Sequence, residues 1–223
     1  ADVLKEVIDM NKYSLMPDYK TLFTNNNDNL AESIFEIPYL SGDIGEGNGF
    51  SSIFMPPRFD MAMFPGNMQG SGRVIPTIDM VNAYEAGDLR RKISIGDSVL
   101  LVTEDYAKDR HGLKFVDFTV GLSGDGGINF TALRYADVLL MYAEALNESE
   151  GPTPEVHHYI NLVRKRAGLE DVQYSWDTWS TLPGKYATTE GMREIIHQEQ
   201  LIELAADVKL AAVTQQLESL PVQ

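Results

Sequence analysis

The chain contains no cysteine, so neither disulfides nor thiolate metal sites can organise it, and redox chemistry says nothing of its compartment. Positive charge is scarce: 18 Lys+Arg stand against 33 Asp+Glu, a formal net charge of −15. Such a surface repels phosphate backbones and anionic lipid, which argues against nucleic acid as a partner. No apolar run reaches the roughly 18 residues of a membrane-spanning helix. Nor is there a G-x-S-x-G, an H-E-x-x-H or a phosphate loop, and the glycines of GDIGEGNGF miss the dinucleotide register. The four histidines, His111, His157, His158 and His197, stand beside no candidate nucleophile in a recognisable motif. The opening ADVLKEVIDM reads as mid-helix, without Met or signal peptide, so the chain is expected to be a processed or truncated piece.

What remains is a globular composition. The 223 residues are 43% hydrophobic and 23% charged, enough for one large domain or two small ones. Val3, Leu4, Val7 and Ile8 recur at helical spacing, with Asn11 as a stop. The polar run NNNDN reads as a turn into a strand, SIFEIPY, in which Phe35, Ile37 and Tyr39 share one face and Pro38 favours an edge position. Residues 41–75, rich in Gly, Pro, Met and Phe, have no sustained period, and a loop of that length is usually functional. A short helix is expected after Pro76, through Ile78, Val81 and Tyr84 to Gly87, followed by two short strands, SVLLV and LKFVDF.

From Thr131 the pattern predicts helix. In the second of these helices Thr153 can cap, Pro154 suits the first position and Gly168 the exit, while Arg164, Lys165 and Arg166 complement the dipole in the last turn. A third should start near Thr188 or Thr189 and run toward Pro221. The pair from about 131 to 168 has the length of a tetratricopeptide-type hairpin, roughly 34 residues. Within "RYADVLLMYAEALNE", Arg134, Asp137, Met141, Glu144 and Glu148 form one stripe, and apolar residues cover most of the remaining surface. Such a helix is buried on several sides and keeps one line for polar contacts. Arg134 and Asp137, three apart, can pair.

Several chemistries have partial signatures in the sequence. Glu155 with His158 and Glu194 with His197 repeat the Glu-x-x-His unit of a di-iron carboxylate bundle. However, Val156, Tyr159, Ile160, Val163 and Ala167 set the buried face of that helix, so Glu155 and His158 point away from it. NNNDNLAESIFE imitates a calcium loop through Asn25, Asn27, Asn29 and Glu36, but Leu30 stands where the sharp turn needs Gly. Glu144 and Glu148, a conceivable glycosidase pair, are read as solvated carboxylates. The sequons at Asn129 and Asn147 are of a length that arises by chance.

The stretch from Arg134 to Glu148, continued through INLVRKRAGL, resembles the SusD/RagB family, as do KYSLMPDYKTLF, ESIFEIPY and YEAGDLRRKISI in the same order. The resemblance spans nearly the whole chain and implies the C-terminal half of such a protein. It implies a mainly α fold, with tetratricopeptide-like helical hairpins supporting a loop-rich region that holds short β-strands. In that frame, residues 1–30 are helix and turn, 31–128 the loop-rich region and 129–223 the hairpin region. The implied function is cell-surface capture of nutrient, glycan above all, for a SusC-like TonB-dependent transporter. The implied location is the outer membrane, lipid-anchored in the full-length protein, with no catalysis and no cofactor. Arg134, Asp137 and Glu144 match the family's scaffold motif, which implies a structural role in polar pairing between hairpins. Glu199 and Glu203 match its "ERRxEL" motif, but Gln200 and Leu201 replace the arginines. A protein–protein interaction module without a small ligand is the first alternative, and a di-iron carboxylate enzyme the remote one.

Sugars are recognised by aromatic faces together with a few aimed polar groups. On composition, two stretches qualify. One is Gly42 to Gly72, with Phe50, Phe54, Arg58, Phe59, Phe64 and Asn67; the other carries Tyr174, Trp176, Asp177, Trp179 and Tyr186. The competing reading for Phe54, Phe59 and Phe64 is that they pack the loop onto the helices.

Overall fold

A computed structural model of the chain describes residues 1–56, 70–97, 99–100, 106–107, 110–172 and 187–205. The centre of the molecule is a helix, α5 (Tyr135–Glu150), clasped by α1 (Asp2–Asp9), α6 (Pro154–Arg166) and α7 (Thr189–Glu203). Ala136 and Ala143 have no exposed surface, so the neighbouring helices approach closely, and Leu139, Leu140, Ile160, Val163, Met192 and Ile196 fill the space between them. Truncating one such leucine to alanine would cost about 2–5 kcal/mol. The helix is thus apolar on several sides because it has neighbours on several sides.

The expected punctuation is present. Thr153 Oγ1 accepts from the Val156 N–H with Pro154 at the first turn, and Thr188 Oγ1 accepts from the Gly191 N–H. Gly168, at φ +77, takes the left-handed turn after α6. Residues 131–134 depart from the expectation. They belong to a strand, β6 (Phe130–Arg134), antiparallel to β1 (Ser33–Ile37), and the helix begins only at Tyr135. The tertiary partner overrides helical propensity here, since β1 offers ladder bonds that a lone helical turn cannot. In β1, Ile34 packs on the helical core while Phe35 and Ile37 stand 60% and 42% exposed.

The loop-rich part carries a second core of Tyr19, Leu22, Phe23, Phe54, Met55, Phe115, Val116, Val120 and Ile128. Tyr19, Leu22 and Phe23 reach it from a 3-10 turn (Tyr19–Phe23), and Phe54 from α2 (Phe50–Phe54). Short pieces follow: α3 (Ile78–Asn82), α4 (Arg91–Ser94), β2 (Ile95–Gly96) paired with β5 (His111–Gly112), and β3 (Val99–Leu100) paired with β4 (Tyr106–Ala107). LKFVDF is not a strand: after β5 the chain turns, and Lys114 to Asp117 are buried individually. Its alternating pattern came from a buried lysine, not from a pleat.

Candidate ligand-binding cleft

The residues of the helical motif converge in the interior rather than at a surface. Arg134 Nη1 donates to Glu203 Oε1 at 2.7 Å and to Glu32 Oε1 at 3.0 Å, and its Nη2 reaches the Glu203 carbonyl oxygen at 3.0 Å. Asp137 accepts the Arg134 backbone N–H at 2.9 Å, so its part in the expected pairing is to cap α5. Arg166 binds Glu203 and Glu32, Arg164 binds Glu199 and Glu85, and Arg90 binds Asp88, Glu199 and Glu203. Lys114 Nζ donates to the Glu203 carbonyl oxygen at 2.7 Å and lies 4.8 Å from the Phe23 ring centroid.

Cations and carboxylates are thus matched in the interior, which is what makes their burial tolerable. Burial alone would push the Glu203 carboxyl up. Arg166, then Arg134, Arg90 and Lys114, overcome that and hold it well below the usual carboxylate range. The Tyr19 hydroxyl also donates to the Glu203 carbonyl, so the network ties the loop-region core to the helical one. Glu144, farther along the stripe, is half-exposed and meets His197 and Gln200 of α7. The contacts of these residues are with one another and with neighbouring elements of the fold. No open cavity is needed to explain them.

The metal readings fare differently from one another. Glu155, His158, Glu194 and His197 are all exposed and lie on the outer faces of α6 and α7. Glu36 accepts from the Asn29 N–H and the Ser33 hydroxyl, closing the Asn-rich turn by itself. Among the described residues no group of three or more His, Asp or Glu could hold a metal ion. Asn129 and Asn147 are buried, at 1% and 0% exposure, so neither sequon presents an acceptor amide.

An open cleft of about 710 Å³ lies in the loop-rich region, between the Asn-rich turn and the segment after β1. Asn25 and Asp28 form one wall, Pro38 to Ser41 and Gly45 to Gly47 the other, and Gly127 also lines it. Tyr39 is its aromatic residue. The ring is braced edge-on against Phe50, 5.7 Å away at 79°, and Phe50 leans in turn on Phe115 and Phe130.

The rim is held by specific bonds. Asp125 accepts from the Gly42 and Asp43 N–H groups, Leu40 donates to the Glu46 carbonyl, and Asn48 and Gly126 form an antiparallel bridge. Gly47 lies so close to the 124–125 backbone that a Cβ would meet Asp125 Cα at 2.5 Å. The loop that forms one wall of the cleft is therefore pre-organised, which lowers the ordering cost of binding.

The structure redistributes the compositional candidates. Phe54 is 5% exposed and stacks on Phe115, so its role is packing, because α2 turns it inward. Phe50 is half-buried behind Tyr39 and supports the cleft without lining it. Arg58, Phe59, Phe64 and Asn67 lie outside the described residues, as do Tyr174, Trp176, Asp177, Trp179 and Tyr186. Sequence reasoning missed Asn25, Asp28, Tyr39 and Glu46 as a group. The available signal was the junction itself, an Asn-rich turn and a strand ending in Pro-Tyr that β1 brings face to face.

With this geometry, comparison with known proteins is informative. Residues 110–209 match the SusD family. SusD-like protein P2 of Formosa agariphila is 29% identical over 215 residues, covering 87% of this chain and 41% of that protein. A SusD superfamily protein from Parabacteroides distasonis superposes with a TM-score of 0.72 at 24% identity, covering 92% of this chain and 43% of the other. Surface glycan-binding protein A from Bacteroides thetaiotaomicron, solved in complex with laminarihexaose, gives 0.65 at 22% identity, covering 95% of this chain and 49% of the other. The chain thus spans about two-fifths of the curated relative's length. These matches bear out the resemblance that the motifs carry: this chain is SusD-like, in sequence over residues 110–209 and in fold across its described elements.

Proposed function

We propose that this protein captures glycan at the cell surface, in the cleft beside Tyr39, and passes it to a SusC-like TonB-dependent transporter without breaking bonds. The observation that carries the reading is the cleft itself. A braced aromatic ring shares the cleft with amide, hydroxyl and carboxylate groups beside a pinned loop, on a SusD-like scaffold whose Arg134 and Glu203 are paired in the interior. Aromatic faces stack on the C–H surfaces of sugars, and the surrounding polar groups bind their hydroxyls. The similar proteins support it, since several are surface glycan-binding proteins and one was solved in complex with laminarihexaose. Attachment to the outer membrane by a lipid anchor belongs to the same reading.

The test is native affinity electrophoresis of the folded chain in gels containing soluble polysaccharides. Retardation by at least one polymer, weakened about tenfold or more in Tyr39→Ala and unchanged in Phe35→Ala, is expected, a loss in the range of a single good contact. Retardation that survives Tyr39→Ala but not Trp176→Ala with Trp179→Ala would move the site to residues 173–186. Absence of retardation by any polymer would overturn glycan capture and favour a docking module.

A further inference from the structure

Resting on the glycan reading, we propose that the cleft selects neutral glycans and rejects acidic ones, those bearing uronate or sulfate. Among the described residues its walls carry Asp28 and Glu46 but no Lys, Arg or His. Asp28 is exposed and its Oδ1 accepts from Asn129 Nδ2 at 2.6 Å, and the exposed Glu46 carboxylate has no hydrogen-bond partner among the described residues. Glu36 shares the same Asn129 amide at 3.4 Å, and Asp43 flanks the rim, so further negative charge stands close by.

Several donors in and near the cleft are engaged. The N–H groups of Tyr39, Leu40, Gly42, Asp43 and Gly127 are taken by Asn129, the Glu46 carbonyl, Asp125 and Asp117, and the Asn25 amide donates to Thr119. Two carboxylates that line the same cleft as an aromatic ring, with several of the nearby amides already committed, give it an acceptor-rich character. A neutral sugar answers it with hydroxyl donors, in charge-assisted bonds stronger than those between neutral groups. A uronate or sulfate would bring a second anion to the same acceptors, where the described lining offers no cation to meet it, and like charges in register disfavour the wrong ligand.

The overall charge of −15 would repel polyanions wherever they approached, so the test must separate the cleft from the rest of the surface. The folded chain is run against laminarin, dextran, galactomannan and xyloglucan, and against alginate, polygalacturonate and carrageenan. Two variants that remove equal charge are run beside it: Asp28→Asn with Glu46→Gln in the cleft, and Asp2→Asn with Glu6→Gln on the exposed face of α1. The expected result is retardation by a neutral polymer and binding to acidic ones about tenfold weaker or more. The cleft variant should narrow that gap while the α1 variant leaves it unchanged.

If an acidic polymer binds as tightly as any neutral one, the selectivity is overturned and glycan capture stands. If both variants narrow the gap equally, rejection belongs to the whole surface and the assignment to the cleft is overturned. If the folded chain binds neither set, glycan capture fails and the selectivity falls with it.

Discussion

Arg134 and Glu203 meet at 2.7 Å although 69 positions separate them, with their side chains 1% and 0% exposed. Arg134 stands at the joint where β6 becomes α5, and Glu203 ends α7. One contact therefore fixes the angle at which a strand feeds the central helix and the point at which the last described helix stops. Glu203 also draws Arg90 and Arg166, and its carbonyl draws Lys114 and Tyr19. The loop-bearing half of the chain is thereby tied to the helical half by charge.

Glu203→Gln should destabilise the protein by about 3–5 kcal/mol, because it strands several guanidinium groups in the interior. Arg134→Met should cost a comparable amount. Combined, the two should cost less than their sum, since each removes the other's unmatched charge. Urea unfolding of the four species measures the coupling, and strict additivity would mean that the pair does not interact.

Acid should draw down the stability that this network contributes. The folded-state pKa of Glu203 lies below its ordinary value of 4.5, held there by Arg166 and its neighbours against burial, and that of Glu85 is lowered by its hydrogen bond to Arg164. A depressed carboxylate contributes stability that is present above the unfolded pKa and lost as pH falls through the folded one. The melting temperature should therefore hold down to about pH 4.5 and drop below it. Glu203→Gln, though less stable throughout, should show a shallower acid limb. An equally steep limb would assign the acid sensitivity to other carboxylates.

The opposite sign applies to Tyr84. Burial pushes its hydroxyl up to about 12, only partly offset by Ser94 and Arg90. The folded pKa is raised, so the contribution is complete below the ordinary value of 10 and lost as pH rises toward 12. Tyr84→Phe should leave stability at neutral pH within about 1 kcal/mol, since the hydroxyl makes no well-formed bond to lose. It should also flatten the alkaline limb between pH 10 and 12, which thermal melts across that range would show.

How far the sequence reached depends on whether the physics was local. Thr153, Pro154, Gly168 and Thr188 act within a few residues of themselves, and each does what its type predicts. The exposed side of α6 was legible because Val156, Tyr159, Ile160 and Val163 alone fix the buried side. Residues 131–134 were not, because their partner β1 lies about a hundred residues away in sequence and a pattern-based reading sees only neighbours. LKFVDF failed for a related reason: Lys114 is 1% exposed and belongs to the Glu203 network, so polarity did not mark a surface position. The cleft was the least legible part. Composition points to stretches dense in aromatics, whereas Tyr39 is a single ring with Phe50 behind it and an Asn-rich turn opposite.

Thr153→Ala and Thr188→Ala should each cost about 1 kcal/mol, the usual value of a helix-capping hydroxyl. The two caps start different helices, so the double variant should be additive within about 0.5 kcal/mol. Denaturant titration of the set suffices. Marked non-additivity would show that α6 and α7 transmit strain through their shared contact with α5.

Gly47 tests whether the cleft depends on the pinned rim. A Cβ there would meet Asp125 Cα at 2.5 Å and the Gly124 carbonyl oxygen at 2.7 Å, both backbone atoms that cannot swing aside. Gly47→Ala should therefore push the 41–47 segment off its support and cost about 1–3 kcal/mol. Gly49, two residues on, has nothing within 4 Å of the same added atom and an ordinary φ of −96. Gly49→Ala should cost under about 1 kcal/mol, mainly through a poorer start to α2. Because Gly47 belongs to neither core, Gly47→Ala should keep its cooperative unfolding while losing affinity for whatever polymer retards the parent chain. Hydrogen exchange would show faster amides at Gly42 and Asp43, whose N–H groups Asp125 holds. Unchanged exchange there, with binding lost, would mean that Gly47 lines the ligand itself rather than positioning the loop.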